Sequence, residues 1–122
     1  MELLHKEITE QIIGAAFEVH RVLGYGFLEK VYQRAMQVEL ESRGFVAEIE
    51  SKIKVHYKGT VVGDYQADLF VNQCVIVELK VAKEYMPYDE AQLLNELKAT
   101  GIRVGLLINF GRSRVEFKRF IL

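Results

Sequence analysis

The chain has 122 residues, half of them hydrophobic and 27% charged, with one cysteine and a formal net charge of −1. That length suits one domain with one core over residues 1–122, and the lone Cys74 excludes an internal disulfide or a cysteine-built zinc site. No apolar run reaches the length of a membrane span, and residues 1–7 lack the apolar stretch of a secretion signal, so the cytoplasm is the expected compartment.

Ile8, Ile12, Ala16, Val19 and Leu23 recur at steps of three and four, which predicts an amphipathic helix over residues 5–23. Gly24-Tyr25-Gly26 breaks it, and a second helix is predicted from 27 to 43, with Leu28, Val31, Tyr32, Ala35, Val38 and Leu40 as apolar members and Gly44 as its stop. Residues 46–57 alternate between charged and apolar side chains, the pattern of a half-exposed or edge strand. Lys58-Gly59 turns the chain into a strand running to Val71. Asn72-Gln73 then leads into a strand over 75–81, in which Val75, Ile76 and Val77 are β-branched and apolar. After Met86-Pro87, residues 89–100 read as a helix closed by Gly101. Strands over 104–110 and 114–121 complete the chain.

The predicted order is therefore α-α-β-β-β-α-β-β. The third helix is a crossover between two buried strands, which implies a parallel pair with a right-handed connection, and the three strands before it form an antiparallel meander. The fold class is α/β in the broad sense, an α+β mixed sheet with helices on its faces. Charge is uneven along the chain. Residues 1–50 carry nine Glu against five Lys and Arg, whereas residues 97–122 carry Lys98, Arg103, Arg112, Arg114, Lys118 and Arg119 against Glu116 alone. A basic carboxyl-terminal face suits a phosphate backbone, though a solvated strand surface explains it as well.

Three residues stand out chemically. Glu78 and Lys80 end a buried strand and, with a side-chain period of two, share a face. Asp68 lies on the preceding strand. Buried charge is costly unless it is paired or holds a metal. Asp68 and Glu78 can face each other only if the loop between their strands holds an odd number of residues, which predicts a three-residue or bulged turn near Gln73 with a left-handed residue there. If they converge, Asp68, Glu78 and the backbone carbonyl of Leu79 form a hard-oxygen set for Mg²⁺, while Lys80 orients water and offsets developing negative charge. The plain alternative is a Glu78–Lys80 ion pair at a strand end. Glu29 lies in the first turn of the second helix, where the helix dipole favours a carboxylate. Gln92 and Glu96 stand four apart on the third helix, a pairing that usually decorates a surface. His20 reads as a structural histidine rather than a phosphate contact, and Tyr85 and Tyr88 as loop packing or a stacking surface for a base.

Gly26-Phe27-Leu28-Glu29-Lys30-Val31-Tyr32 spells G-x-x-E-x-x-Y. With Ala67-Asp68-Leu69, Ile76-Val77-Glu78-Leu79-Lys80, Gln92-Leu93-Leu94-Asn95 and Leu106-Leu107-Ile108-Asn109-Phe110-Gly111, the chain resembles the GxxExxY proteins of the PD-(D/E)XK nuclease superfamily over nearly its whole length. The resemblance implies a restriction-endonuclease-like α-β-β-β-α-β core with an extra N-terminal helix and a C-terminal strand. It carries the active-site roles onto Asp68, Glu78 and Lys80, with Glu29 as a further metal or water contact and Gln92 beside the site, and Mn²⁺ would substitute for Mg²⁺. In the exonuclease-like branch the residue four after the glutamine is commonly Tyr, and here it is Glu96. The expected function is metal-dependent hydrolysis of nucleic-acid phosphodiesters, DNA before RNA, with a homodimer compatible and no membrane partner. The alternative is a catalytically silent module of the same fold that binds nucleic acid or a protein.

Overall fold

The computed structural model describes residues 4–84 and 87–122. Its elements are α1 (Lys6–Leu23), α2 (Glu29–Ser42), β1 (Ala47–Tyr57), β2 (Thr60–Val71), β3 (Val75–Lys80), α3 (Pro87–Thr100), β4 (Val104–Asn109) and β5 (Glu116–Ile121). They build a five-stranded sheet in the order β1-β2-β3-β4-β5, parallel between β3 and β4 and antiparallel elsewhere. The mixed sheet, the meander and the crossover helix are those the sequence predicts. The core α2-β1-β2-β3-α3-β4 carries α1 in front and β5 behind.

The helices pack on both faces of the sheet. On one face, Ile12, Ala16 and Val19 of α1 and Tyr32, Met36 and Leu40 of α2 cover Leu69, Val71, Val75, Val77 and Leu79. On the other, Leu93 and Leu97 of α3 cover Ile53, Ala67, Ile76 and Leu107. Strands β3 and β4 are buried on both sides, hence their unbroken apolar runs. Gly105 gives α3 room to approach, since a Cβ there would lie 2.9 Å from a Leu93 methyl.

Helix α2 departs from the predicted pattern in two ways. It begins at Glu29 rather than 27, because the Phe27 amide donates to the Tyr32 hydroxyl and Leu28 takes an extended cap conformation. Its buried stripe is Tyr32, Gln33, Met36 and Leu40, while Leu28, Val31 and Val38 face outward. The Tyr32 hydroxyl also donates to the Gly24 carbonyl at 2.6 Å, and its ring stacks on Phe110 at 4.6 Å between centroids. The closing tyrosine of G-x-x-E-x-x-Y is thus a buried strut. It ties down the loop that launches Glu29.

Both turns of the β1–β2–β3 meander run through left-handed residues. Lys58 and Gly59 both have positive φ, as a two-residue hairpin turn requires. Between β2 and β3, Val71 pairs with Val75, so Asn72, Gln73 and Cys74 form a three-residue loop with Asn72 and Gln73 left-handed. The predicted odd-numbered turn is present. At Glu50, inside β1, φ is +55°. The ladder pairs Ile49 with Leu69 and Ser51 with Ala67, and between these pairs the β1–β2 ribbon turns over. Ala47 and Leu69 face α1 and α2, whereas Ile53 and Ala67 face α3. Asp68 sits at that reversal.

Candidate active site

Asp68, Glu78 and Lys80 come together where β2 leaves β3, between the start of α2 and the body of α3. The β2–β3 ladder runs from Val71↔Val75 to Leu69↔Val77, one residue short of Asp68 and Glu78. There the Asp68 side chain replaces the backbone ladder, with Oδ2 accepting from the Leu79 N–H at 2.7 Å. Gln33 of α2 donates to the Asp68 carbonyl at 2.9 Å, which fixes the same residue from the helix side.

The carboxyls form a chain. Glu29 lies within hydrogen-bonding reach of Asp68, Asp68 of Glu78, and Glu78 of Glu96 on α3. Glu78 is 4% exposed and Glu96 2% exposed. Oε1 of each is buried without a hydrogen-bond partner. Gln92 Nε2 donates to Glu96 Oε2 at 3.3 Å, so Gln92 joins the cluster through Glu96. The Gln92–Glu96 pair is therefore not surface decoration. Leu93, Glu96 and Leu97 share the buried stripe of α3, and a carboxylate on an apolar stripe at that spacing is the signal that marks it.

Charges follow from this crowding. Burial, then the contact with Glu96 and the nearby Asp68 charge, push the Glu78 carboxyl far above the usual carboxylate range. Burial raises Glu96 as well. The two carboxyls lie close enough to perturb each other, and a proton shared between them would relieve their repulsion. Glu29 is raised by burial and by Asp68, against the pull of Lys80. Burial pulls the Lys80 ammonium down, but Asp89, Glu29, Glu78 and Asp68 outweigh it and the net shift is upward. Lys80 Nζ lies 3.5 Å from Asp89 in the first turn of α3. The lysine's closest ionic partner is thus Asp89, not Glu78, because Glu78 turns toward Glu96.

Two positioning groups stand outside the residues that the sequence pattern singles out. Gln33, four residues after Glu29 on the same helix face, was legible in that spacing. Asp89 was not, since only the crossover of α3 brings it to Lys80. Asn109 holds the chain beyond Lys80: its Oδ1 accepts from the Ala82 and Gly111 amides, and its Nδ2 donates to the Ala82 carbonyl. His20 is structural, donating from Nε2 to the Arg112 carbonyl at 2.8 Å and stacking on Phe110. Tyr88 is exposed at the start of α3, while Tyr85 and Met86 lie outside the described residues.

The donors suit a hard cation, as Asp68 and Glu78 adjoin and Glu78 Oε1 is buried without a partner. Among the described residues, no three His, Cys, Asp or Glu groups are already arranged around one metal position. Mg²⁺ makes modest demands in this respect. It is commonly held by one or two carboxylates, with water and substrate phosphate completing the shell.

This sheet, with its acid-acid-lysine cluster at the β2–β3 divergence, has the restriction-endonuclease-like architecture. The chain belongs to the PD-(D/E)XK nuclease superfamily, whose family model matches residues 6–120. Two solved structures share the fold. The protein SSO0001 aligns with a TM-score of 0.62 at 17% identity, covering 96% of this chain. The alkaline exonuclease LHK-Exo from Laribacter hongkongensis aligns with a TM-score of 0.50 at 11% identity, covering 93% of this chain and 81% of its own. The chain spans 59% of the length of SSO0001. No curated protein is significantly similar to it in sequence. No helix among the described residues is long and apolar enough to cross a membrane.

Proposed function

We propose that residues 1–122 act as a single-domain, metal-dependent nuclease that hydrolyses phosphodiester bonds, with DNA the preferred substrate. The observation that carries the reading is the convergence of Glu29, Asp68, Glu78 and Glu96 beside one ammonium, Lys80. So many carboxyls, two of them buried, call for protons or a cation to offset them. Asp68, Glu78 and the Leu79 carbonyl would hold Mg²⁺, or Mn²⁺ in its place, with Glu29 as a further metal or water contact. The bound ion would acidify water and polarise the scissile phosphate.

The protein's own groups do the remaining work. Asp68, tied to the Leu79 amide and backed by Gln33, keeps its position when substrate arrives. Lys80, held by Asp89 at 3.5 Å, would orient the attacking water and offset charge building on the phosphate. Gln92 orients Glu96, which sets the position of Glu78.

The test is hydrolysis of single- and double-stranded DNA and RNA with Mg²⁺ or Mn²⁺, beside Asp68→Ala and Lys80→Ala. Losing either group should lower the rate by about 10²–10³, the usual effect of removing one electrostatic stabiliser. Activity that survives both substitutions refutes the proposal. A silent nuclease-fold module is the second reading, favoured by the Glu78–Glu96 contact, which must open before Glu78 can bind a cation. Calorimetric titration with Mn²⁺ separates the two, since a working site binds the ion and loses it in Glu78→Gln.

A further inference from the structure

Strands β1 and β2 extend well past β3. Beyond Leu69 the β2 strand has no partner but β1, and from Lys54 to Asp64 the two form an exposed ribbon turned at Lys58-Gly59. A two-stranded ribbon alone in water is marginal. This one also exposes Tyr57 (62%), Tyr65 (47%), Val61 and Val62 near its free end.

The register shows what one face of the ribbon presents. Lys52 pairs with Gln66 and Lys54 with Asp64, and these four share a face. Gln66 also lines the cleft that holds Glu29, Gln33 and Asp68. The lysine face is therefore continuous with the candidate active site. Lys52 and Lys54 stand two residues apart, roughly 6.7 Å along the strand. Among the described residues no ion pair or hydrogen bond engages either of them; the carboxylates beside them are Asp64, opposite Lys54, and Glu50, which lines the cleft and is paired with Lys30 at 3.4 Å. Lys58, at the turn, leans over the Tyr57 ring on the ribbon's other face. On the carboxyl-terminal basic face four of the six cations are already engaged, and among the described residues only Lys98 and Arg114 are not. Lys118 is engaged by Glu90, Arg112 by Glu116, Arg103 by the Leu122 carbonyl and Arg119 by the Leu4 carbonyl.

We propose that the β1–β2 ribbon is a nucleic-acid arm, on which the backbone of a single strand leaving the Asp68 cleft runs along Lys52 and Lys54 toward His56. The proposal rests on the nuclease reading for its ligand class. It adds a binding track that the acid-acid-lysine site does not contain. His56, two residues after Lys54 and exposed on the same face, supplies a ring on which an unpaired base can stack, which favours single strands over duplex. A competing role for the lysines is to guard the exposed edge strand β1 against pairing with another copy.

The experiment is fluorescence anisotropy with a short labelled single-stranded oligodeoxynucleotide in EDTA, which removes cleavage from the readout, over a series of salt concentrations. The variants are Lys52→Gln/Lys54→Gln on the arm and Arg21→Gln on α1 as a control. The arm variant should bind at least tenfold more weakly. Its slope of log affinity against log salt should be shallower by about 1.4, the release expected from two single-strand phosphates. Arg21→Gln should leave affinity and slope unchanged. Wild-type binding with the same affinity and slope in the arm variant overturns the proposal and leaves the nuclease reading intact. If that variant also self-associates by light scattering, the lysines are edge guards. Absence of wild-type binding to any oligonucleotide overturns both readings.

Discussion

The buried Glu78–Glu96 pair makes folding stability depend on pH in a direction opposite to an ordinary salt bridge. Both carboxyls have folded-state values raised above the ordinary 4.5. A raised acid stabilises the fold fully below its unfolded value, and that contribution is lost as pH rises toward its folded value. The loss therefore begins near pH 4.5 and continues through neutrality. If the pair keeps one proton that the unfolded chain releases, each pH unit removes up to about 1.4 kcal/mol. From pH 5 to 8 this reaches about 4 kcal/mol, a large share of the stability of a domain this size. Glu78→Gln keeps the shape, carries no charge and donates to Glu96 permanently. It should flatten the profile and exceed wild type in stability at pH 8. Urea denaturation of both proteins in EDTA from pH 5 to 8 measures the difference. A wild-type profile that is flat or rising over that range, or one that Glu78→Gln leaves unchanged, refutes the shared-proton account.

Two further predictions concern the scaffold. Tyr32→Phe strips the Gly24 carbonyl and Phe27 amide of their partner while keeping the ring on Phe110, and should cost about 1–3 kcal/mol in urea denaturation. A loss below measurement would mean that water takes over both bonds and that the tyrosine is not a strut. Gly111→Ala places a Cβ 2.4 Å from the Val81 carbonyl carbon, a clash with backbone rather than with a flexible side chain. It should cost about 1–3 kcal/mol and lower the melting temperature by several degrees. Unchanged melting would show that the segment after Lys80 yields freely.

Much of this protein could be read from the chain because its signals are local. Periods of 3.6 and 2 set the helices and strands, and the crossover through α3 forces β3 and β4 into a parallel pair. Parity alone required an odd loop between Asp68 and Glu78, and Asn72 and Gln73 supply it with left-handed residues. Tertiary packing decided the rest. Val31 and Val38 are apolar yet exposed, since the face α2 turns to the sheet is set by Tyr32 docking on Phe110. Nothing local in Glu50 favours positive φ, and only the twist of a ribbon facing α1 and α2 at one end and α3 at the other imposes it. The same holds for the charges. The sequence by itself determined which acids and which lysine lie at the end of the buried strand. The tertiary structure decided that Glu78 turns to Glu96 and Lys80 to Asp89, because burial between β3 and α3 leaves a carboxyl only another carboxyl as neighbour.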